Sequence, residues 1–247
     1  MNVFKIGNLN LVAVTKIDVI RFIKDNIAKV NGYVCVTNTR TAYLSSKDNS
    51  YCTIQNNSLI TIPDGMPLVW LGKLSGYKNI QRTAGPELFE HFLRNEDKKI
   101  KHYLLGDTQE VLNKLITKAK VEYGANIVGS FSPPFSSLEE YNYKQIANGI
   151  NNSKADIVWL ALGSPKQDIF ASKLMQHTDN KIILNVGAAF RFVLGEYNMP
   201  PKAIQKLGLT GVYWRFLQKP TLFIKQYPKY FIFIIKNAIK IKFKKLK

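Results

Sequence analysis

Short apolar runs alternate with longer amphipathic stretches along the first 190 residues, and this alternation predicts the fold. Between the runs, apolar residues recur at helical spacing, and Thr15 is placed to cap the first of these helices. Such alternation predicts an α/β fold with a doubly wound, Rossmann-like and mostly parallel sheet, covered by helices on both faces. Six runs have the length and composition of strands: YVCVT, SLITI, IKHYLLG, ANIVGSF, ADIVWLALG and KIILNVG.

Charge divides the chain into two parts. The net charge is +18, but residues 197–247 carry twelve of the 35 Lys and Arg residues and no acidic residue. The remaining 23 basic residues face all 17 acidic ones, so the first part is nearly ordinary in charge. We therefore expect an α/β domain over 1–196 and a basic, aromatic appendage over 197–247.

The appendage mixes lysines with large apolar side chains. This mixture suits the surface of an anionic membrane, although nucleic-acid binders and solvated charged ends share it. Its longest apolar run, YFIFII, is far shorter than the ~20 residues that span a bilayer. The sequence thus predicts a helical membrane-docking appendage.

Several features restrict the compartment and the chemistry. Cys35 and Cys52 form no CxxC pair and are expected to be free thiols in a reducing compartment, and no signal peptide is apparent. The chain has no GxGxxG, Walker loop or Asp-x-Asp, which disfavours dinucleotide, ATPase and metal-diphosphate sites. The histidines lack metal-ligand spacing and are interpreted as packing or surface residues.

Polar side chains follow each predicted strand. Because parallel strands end at one edge of a sheet, these residues are expected to converge at the carboxyl edge, where open α/β folds bind ligands. The residues at these strand ends are Thr37, Asn38, Asp64, Asp107, Ser132, Ser164 and Arg191.

The segment LALGSPKQDIF carries the strongest local signal. Gly163 allows close approach of a ligand, and Ser164 is placed to cap the helix that follows. The free amides at that helix start, with Lys166 or Gln167, are suited to an anion such as phosphate. An ordinary capped turn explains the same residues, and Asp64-Gly65 is equally consistent with a simple turn after Pro63.

Six blocks in order give a more specific indication. Together they resemble the WecG/TagA/CpsF family of bacterial glycosyltransferases over nearly the whole chain. The resemblance implies inverting transfer from a nucleotide sugar, usually UDP-linked, to a polyprenyl-diphosphate-linked acceptor, without a required metal or cofactor. The blocks are TN at 37–38, PDGMPLVW from 63, QRTAGPEL from 81, ADIVWLALGSPKQD at 155–168, NVGAAFRFVLGE at 185–196 and IQKLGLTGVYWRFLQKP at 204–220.

The resemblance also assigns roles to residues. Asp64 falls on the family's proposed general base. Arg191 departs from the family, which mostly has an aspartate there, so a different donor contact is expected at this position. The residues expected to bind substrate are Thr37, Asn38, Arg82, Gly163, Ser164, Lys166, Gln167 and Arg191.

The sequence thus predicts a glycosyltransferase of capsule, O-antigen, exopolysaccharide or teichoic acid synthesis, peripherally attached to the inner face of the plasma membrane. One carboxylate would take the acceptor proton while cations and helix amides stabilise the leaving diphosphate. Two alternatives stay open: an enzyme that processes a soluble nucleotide sugar, and a basic protein that binds nucleic acid without catalysis.

Overall fold

The computed structural model describes residues 1–197, 201, 203–204, 212–213, 216–217 and 220–244. The strands are β1 (Val3–Ile6), β2 (Leu9–Val12), β3 (Gly32–Thr37), β4 (Ile60–Pro63), β5 (Lys101–Gly106), β6 (Asn126–Phe131), β7 (Ile157–Ala161) and β8 (Ile182–Asn185). The helices are α1 (Lys16–Asn26), α2 (Thr39–Ser45), α3 (Asn49–Asn56), α4 (Met66–Leu74), α5 (Gly85–Asn95), α6 (Gln109–Tyr123), α7 (Tyr143–Asn152), α8 (Lys166–Leu174), α9 (Ala189–Val193) and α10 (Pro220–Lys244).

Six strands form a parallel sheet in the order β4-β3-β8-β7-β5-β6, which confirms the predicted fold class. Its central strands are buried along their whole length, as expected when helices cover both faces. Helices α1, α5, α6 and α9 pack on one face. Helices α3, α7 and α8 pack on the other face.

A third layer lies beyond the β4 side of the sheet. The antiparallel hairpin β1-β2 packs there with α2, α3 and α4 around a separate apolar cluster. One face of α10 joins this cluster: Phe233 is buried, and Tyr230 and Phe233 both contact the ring of Tyr43 edge-on. No helix in the described part of the chain is both long and apolar enough to cross a bilayer.

Of three helix N-caps predicted from the sequence, one is right and two are wrong. Thr15 caps α1 through a reciprocal pair of hydrogen bonds with Asp18. The helix expected to open at Ser136 or Ser137 begins only at Tyr143 and is capped by Asn142. The predicted Ser164 cap is also wrong, because Pro165 occupies the cap position of α8 and makes no side-chain bond.

The cysteines and one histidine have packing roles. Cys35 and Cys52 are free, as predicted, and both are buried, Cys35 on β3 and Cys52 on α3. His102 is buried and its Nδ1 accepts a 3.1 Å hydrogen bond from the indole of Trp159. Burial lowers the pKa of His102 to about 4, so it is neutral at physiological pH and serves the core.

The strand order creates a crevice at the carboxyl edge. From β5 the chain moves outward to β6, whereas from β7 it moves the opposite way to β8. The connections therefore diverge between β5 and β7, which is where open α/β sheets bind ligands. Gly106 permits the close approach of these two strands, since a side chain there would meet the carbonyl oxygen of Ala161 at 2.6 Å.

Candidate active site

Asp64 lies immediately after β4 at the carboxyl edge. Its backbone N–H donates to the carbonyl of Thr37 at 2.7 Å, which fixes it beside the end of β3. On its other side, Thr83 N–H donates to the carbonyl of Pro63 at 3.0 Å. Gly65 follows with φ of +124°, a conformation that favours glycine, and frees the chain to start α4 at Met66. The carboxylate is thus held between two backbone segments on the strand end.

The environment of Asp64 suits a base. Its side chain is 29% exposed, and Arg82 Nη1 lies 3.5 Å from Oδ1. Burial raises the pKa of the Asp64 carboxyl above its ordinary value, while the positive charge of Arg82 offsets part of that rise. Arg82 also pairs with Glu87 on α5. A partly accessible carboxylate with a raised pKa and a fixed cationic neighbour is able to accept a proton from a bound hydroxyl.

Thr37 and Asn38 occupy the end of β3, next to Asp64. Thr37 is fully buried, and its hydroxyl accepts a 3.0 Å bond from the amide of Gln55. Asn38 caps α2 through a reciprocal pair of bonds with Thr41. In this structure both side chains shape the strand end, and their contact with substrate stays a prediction.

Gln167 ties together two loops of the site. Its Oε1 accepts hydrogen bonds from the backbone N–H groups of Gly163, at 3.0 Å, and Gly187, at 3.1 Å. Its Nε2 donates to Ser164 Oγ at 3.0 Å. Gln167 is almost fully buried, and Arg40 adds a bond to the carbonyl of Ser164 at 2.8 Å. The amide therefore joins the turn after β7 to the turn after β8, a role that the sequence did not indicate.

We expect Gln167→Ala to lower the free energy of unfolding by about 1–2 kcal/mol, since two hydrogen bonds are lost but Gly163 and Gly187 are partly open to water. Gln167→Met keeps most of the side-chain volume but offers no acceptor to Gly163 and Gly187, so it should be destabilised to a similar extent. Urea denaturation measures the stability of both variants. Gln176→Ala, at an exposed position just after α8, is the control. Equal stability of Gln167→Ala and the control would show that this amide does not hold the two loops.

Lys166 contacts the loop that follows β6, and its contact with a phosphate stays a prediction. Its Nζ donates to the carbonyl of Ser136 at 2.6 Å and to the hydroxyl of Tyr141 at 2.9 Å. It also lies 5.2 Å from the ring centre of Phe135. The lysine thus joins α8 to the loop that follows β6.

Arg191 forms an ion-pair network at the crevice between β5 and β7. Its guanidinium contacts both carboxylate oxygens of Asp107, at 3.0 and 2.6 Å, and Glu196 at 3.0 Å. Asp107 directly follows β5 and adopts φ of +56°. The residue that departs from the family therefore has acidic partners within the protein, and its contact with a donor stays a prediction.

We expect Arg191→Ala to destabilise the protein by about 1–2 kcal/mol, because its bidentate pair with Asp107 is only partly shielded from water. Arg191→Asp should cost more, since it would face Asp107 with a like charge. Donor preference should stay unchanged if the guanidinium serves only this network. Urea denaturation and a panel of UDP-sugars measure the two effects, with the exposed Arg94→Ala as control. A changed donor preference at unchanged stability would instead make Arg191 a donor contact.

The sequence did not predict a buried network of hydrogen bonds next to the site. Asp168 on α8 is almost fully buried and accepts bonds from the hydroxyl of Tyr51, at 2.5 Å, and the amide of Asn185, at 2.8 Å. Burial raises the pKa of Asp168 above its ordinary value. Gln55 donates hydrogen bonds to Tyr51 and Thr37, so the network connects Asp168 to the end of β3. The sequence signal that could have revealed this network is an acidic residue, Asp168, on the core-facing side of a predicted helix.

The predicted site residues therefore lie on one edge of the sheet in two groups, one at the ends of β4 and β3 and the other at the ends of β7 and β5. The first group consists of Asp64, Arg82, Thr37 and Asn38. The turn at 163–167 lies at the end of β7, three strands from β4 and thus about 14 Å away. Arg191 lies one strand further, over the end of β5. The edge is long enough for an extended ligand with different chemistry at its two ends.

Comparison with known proteins identifies the class. The model of the glycosyl transferase WecG/TagA/CpsF family matches residues 4–247, so the chain belongs to this family and is a glycosyltransferase. The chain is 24% identical over 216 residues to the N-acetylglucosaminyldiphosphoundecaprenol N-acetyl-beta-D-mannosaminyltransferase of Bacillus subtilis (strain 168). That alignment covers 85% of this chain and 81% of the relative. The protein of the same name from Bacillus spizizenii is 23% identical, with 83% and 79% covered.

Proposed function

We propose that this protein transfers an N-acetylated hexosamine or related sugar from a UDP-sugar to a polyprenyl-diphosphate-linked acceptor, with inversion at the anomeric carbon. Family membership and the names of the two Bacillus relatives support the lipid-linked acceptor and the sugar class. The product would enter a bacterial surface polymer such as teichoic acid, capsule, O-antigen or exopolysaccharide.

The environment of Asp64 is the observation that carries this proposal. The carboxylate is fixed at a strand end and partly accessible, and its pKa is raised. A general base that accepts a proton from an acceptor hydroxyl requires these properties. In the proposed step, Asp64 takes the proton as the hydroxyl oxygen forms the new glycosidic bond. The bond from the anomeric carbon to the diphosphate oxygen breaks on the opposite face, and the electron pair leaves with UDP.

The leaving diphosphate would be stabilised by protein groups on the same edge. Arg40 lies at the turn after β7 and contacts the carbonyl of Ser164. The N-terminal end of α8 is at the same turn, and the positive end of its helix dipole favours negative charge. Arg40 and the N-terminal end of α8 support transfer in which the protein itself supplies the positive charge for the leaving diphosphate.

We expect transfer to retain at least about half its rate in excess EDTA, since the proposed step places no metal ion on the diphosphate. The measurement is UDP release with and without chelator, followed by addition of Mg²⁺ or Mn²⁺. A rate that vanishes in EDTA and returns with either ion would contradict metal-independent transfer.

The exposed face of α10 supports attachment to an anionic membrane. Opposite its packed face, large apolar side chains recur one or two helical turns apart and are 42–68% exposed: Ile224, Phe231, Ile235, Ile239 and Phe243. Lysines flank this stripe: Lys225, Lys229, Lys236, Lys240 and Lys242. A helix with this arrangement lies in the plane of a membrane surface. We place the enzyme peripherally at the inner face of the plasma membrane, where a lipid-linked acceptor would be embedded.

One assay tests the proposed reaction. The full chain is incubated with a panel of UDP-sugars and a short-chain prenyl-diphosphate N-acetylglucosamine, and UDP release is followed. We expect acceptor-dependent release with at least one UDP-N-acetylhexosamine. Conversion of UDP-sugar at the same rate without acceptor would support the soluble nucleotide-sugar enzyme instead. No release with any donor would overturn the proposal.

A further inference from the structure

Arg82 lies between two carboxylates, Asp64 and Glu87. Its Nη1 is 3.5 Å from Asp64 Oδ1, and its Nη2 donates to Oε1 of Glu87 on α5. The contact with Asp64 is at the long limit for a hydrogen bond and joins one nitrogen to one oxygen. One guanidinium charge is therefore shared between two acids, and Asp64 is not held in the two-point pair that arginine can form with a carboxylate.

The carboxylate of Glu87 lies in a positive environment at a defined place. Glu87 is the third residue of α5, where the positive end of the helix dipole favours an acid. Lys16 Nζ lies 3.9 Å from its second oxygen, Oε2. The start of α5 packs closely against the end of β8, since a side chain at Gly85 would meet the carbonyl oxygen of Val186 at 2.7 Å. Glu87 therefore presents its negative charge to Arg82 from a well-packed helix start.

The other ionisable groups in the cleft beside Glu87 pair with one another. These pairs, with N–O distances of 2.6–3.0 Å, are Arg94–Glu90, His91–Glu96 and Lys24–Glu96. Among the described residues, Lys16 and Arg82 are the cations within ion-pair distance of Glu87, and Arg82 is the one within that distance of Asp64. The charge that acts on Asp64 is thus that of Arg82, offset by Glu87.

We propose that Glu87 is a positioning residue of the transfer reaction: it keeps Arg82 from pairing fully with Asp64 and so leaves Asp64 free to act as the base. This inference rests on the proposed function. An adjacent arginine stabilises the charged form of an aspartate and lowers its pKa by about 1–3 units, which weakens it as a base. With Glu87 on its other side, Arg82 still orients Asp64 but removes less of its basicity.

The pH dependence of kcat/KM for acceptor-dependent UDP release tests this role. In Glu87→Gln an amide oxygen can still accept from Arg82, but the negative charge is gone, so Arg82 should act more strongly on Asp64. The pKa of Asp64 should fall, and the acid limb should move to lower pH by about 0.5–1 unit, a part of the full effect of an adjacent arginine. The plateau should fall by about 3- to 30-fold, because a weaker base removes the acceptor proton more slowly.

Three further variants separate this role from charge and packing. Glu90→Gln removes a negative charge from the same helix, at a side chain 43% exposed against 40% for Glu87, and should leave the limb in place. Glu87→Asp keeps the negative charge at the start of α5 and should keep the limb close to that of wild type. In an Arg82→Gln background, Glu87→Gln should move the limb less than half as far, because its effect passes through Arg82.

The outcomes separate the role of Glu87 from the proposed function. An acid limb that stays in place in Glu87→Gln, with the wild type active, overturns the role of Glu87 and leaves the transfer reaction intact. An equal shift in the Arg82→Gln background, or in Glu90→Gln, also overturns it, because Glu87 would then act only as a distant charge. If the wild type releases no UDP with any acceptor, the proposed function fails, and the role of Glu87 fails with it.

Discussion

Replacing Asp64 with asparagine is expected to lower turnover by about 10²–10⁴-fold, the range for losing a general base. Asparagine has nearly the same shape, so the backbone bond to Thr37 and the approach of Arg82 should persist. UDP affinity and the melting temperature should therefore stay close to wild type. The measurement is acceptor-dependent UDP release by purified Asp64→Asn, beside the exposed Asp179→Asn as a matched control.

The pH dependence of kcat/KM gives an independent check on Asp64. A general base works only when deprotonated, so activity should rise with pH through the pKa of this carboxyl. Burial raises that pKa, so the acid limb should lie above the ordinary range of an aspartate. Because the charge of Arg82 opposes this rise, Arg82→Gln should move the limb to higher pH. An acid limb that stays in place in Arg82→Gln would argue against Asp64 as the titrating base.

Polar substitution of the exposed stripe on α10 should abolish most attachment to anionic vesicles. Phe231→Ser, Ile235→Ser and Ile239→Ser together remove apolar burial, which salt does not screen. Activity on a lipid-linked acceptor in vesicles should fall in parallel, while activity on a short-chain acceptor in solution should persist. Vesicle cosedimentation and the two assays measure these effects. Equal vesicle binding by the triple variant and wild type would remove the membrane role from this face.

The lysines beside the stripe provide the matched comparison. Lys225, Lys229, Lys236 and Lys240 changed to Gln should weaken binding at low salt, since each lysine near an anionic surface contributes about 1 kcal/mol. At high salt the lysine variant and wild type should converge. Deletion of 221–247 is a poorer experiment, because it also removes the buried face of α10 and exposes the cluster around Tyr43.

The sheet and its helices could be predicted from the sequence because each strand of a doubly covered sheet is a continuous apolar run. The start of α7 could not. Ser136 and Ser137 have the chemistry of helix caps, but Tyr141 is buried against Phe170 and bonded to Pro134, which keeps this segment out of the helix. Tertiary packing prevailed over the local signal there. The hairpin β1-β2 was missed for a different reason, since its signal is local: two short alternating runs flank the turn pair Gly7-Asn8.

The location of the site followed from topology, whereas its contacts did not. Strand ends of a parallel sheet must meet at one edge, so the convergence of Asp64, Asp107 and Ser164 was accessible from sequence. The bonds of Gln167 to Gly187 and of Arg191 to Asp107 join residues 20 and 84 positions apart. Such contacts depend on the directions of side chains on separate elements of the fold. The local sequence pattern does not determine these directions.

The anomeric configuration of the product tests the central claim most directly. One carboxylate base acting on an acceptor hydroxyl requires direct displacement, so an α-linked UDP-sugar should give a β-linked product. Proton and carbon NMR of the disaccharide released from a short-chain acceptor measures the configuration, with Asp64→Asn as the inactive comparison. A β linkage is the result that this account predicts. A retained α linkage would contradict it, because retention requires a second nucleophile or a front-face mechanism that Asp64 alone does not provide.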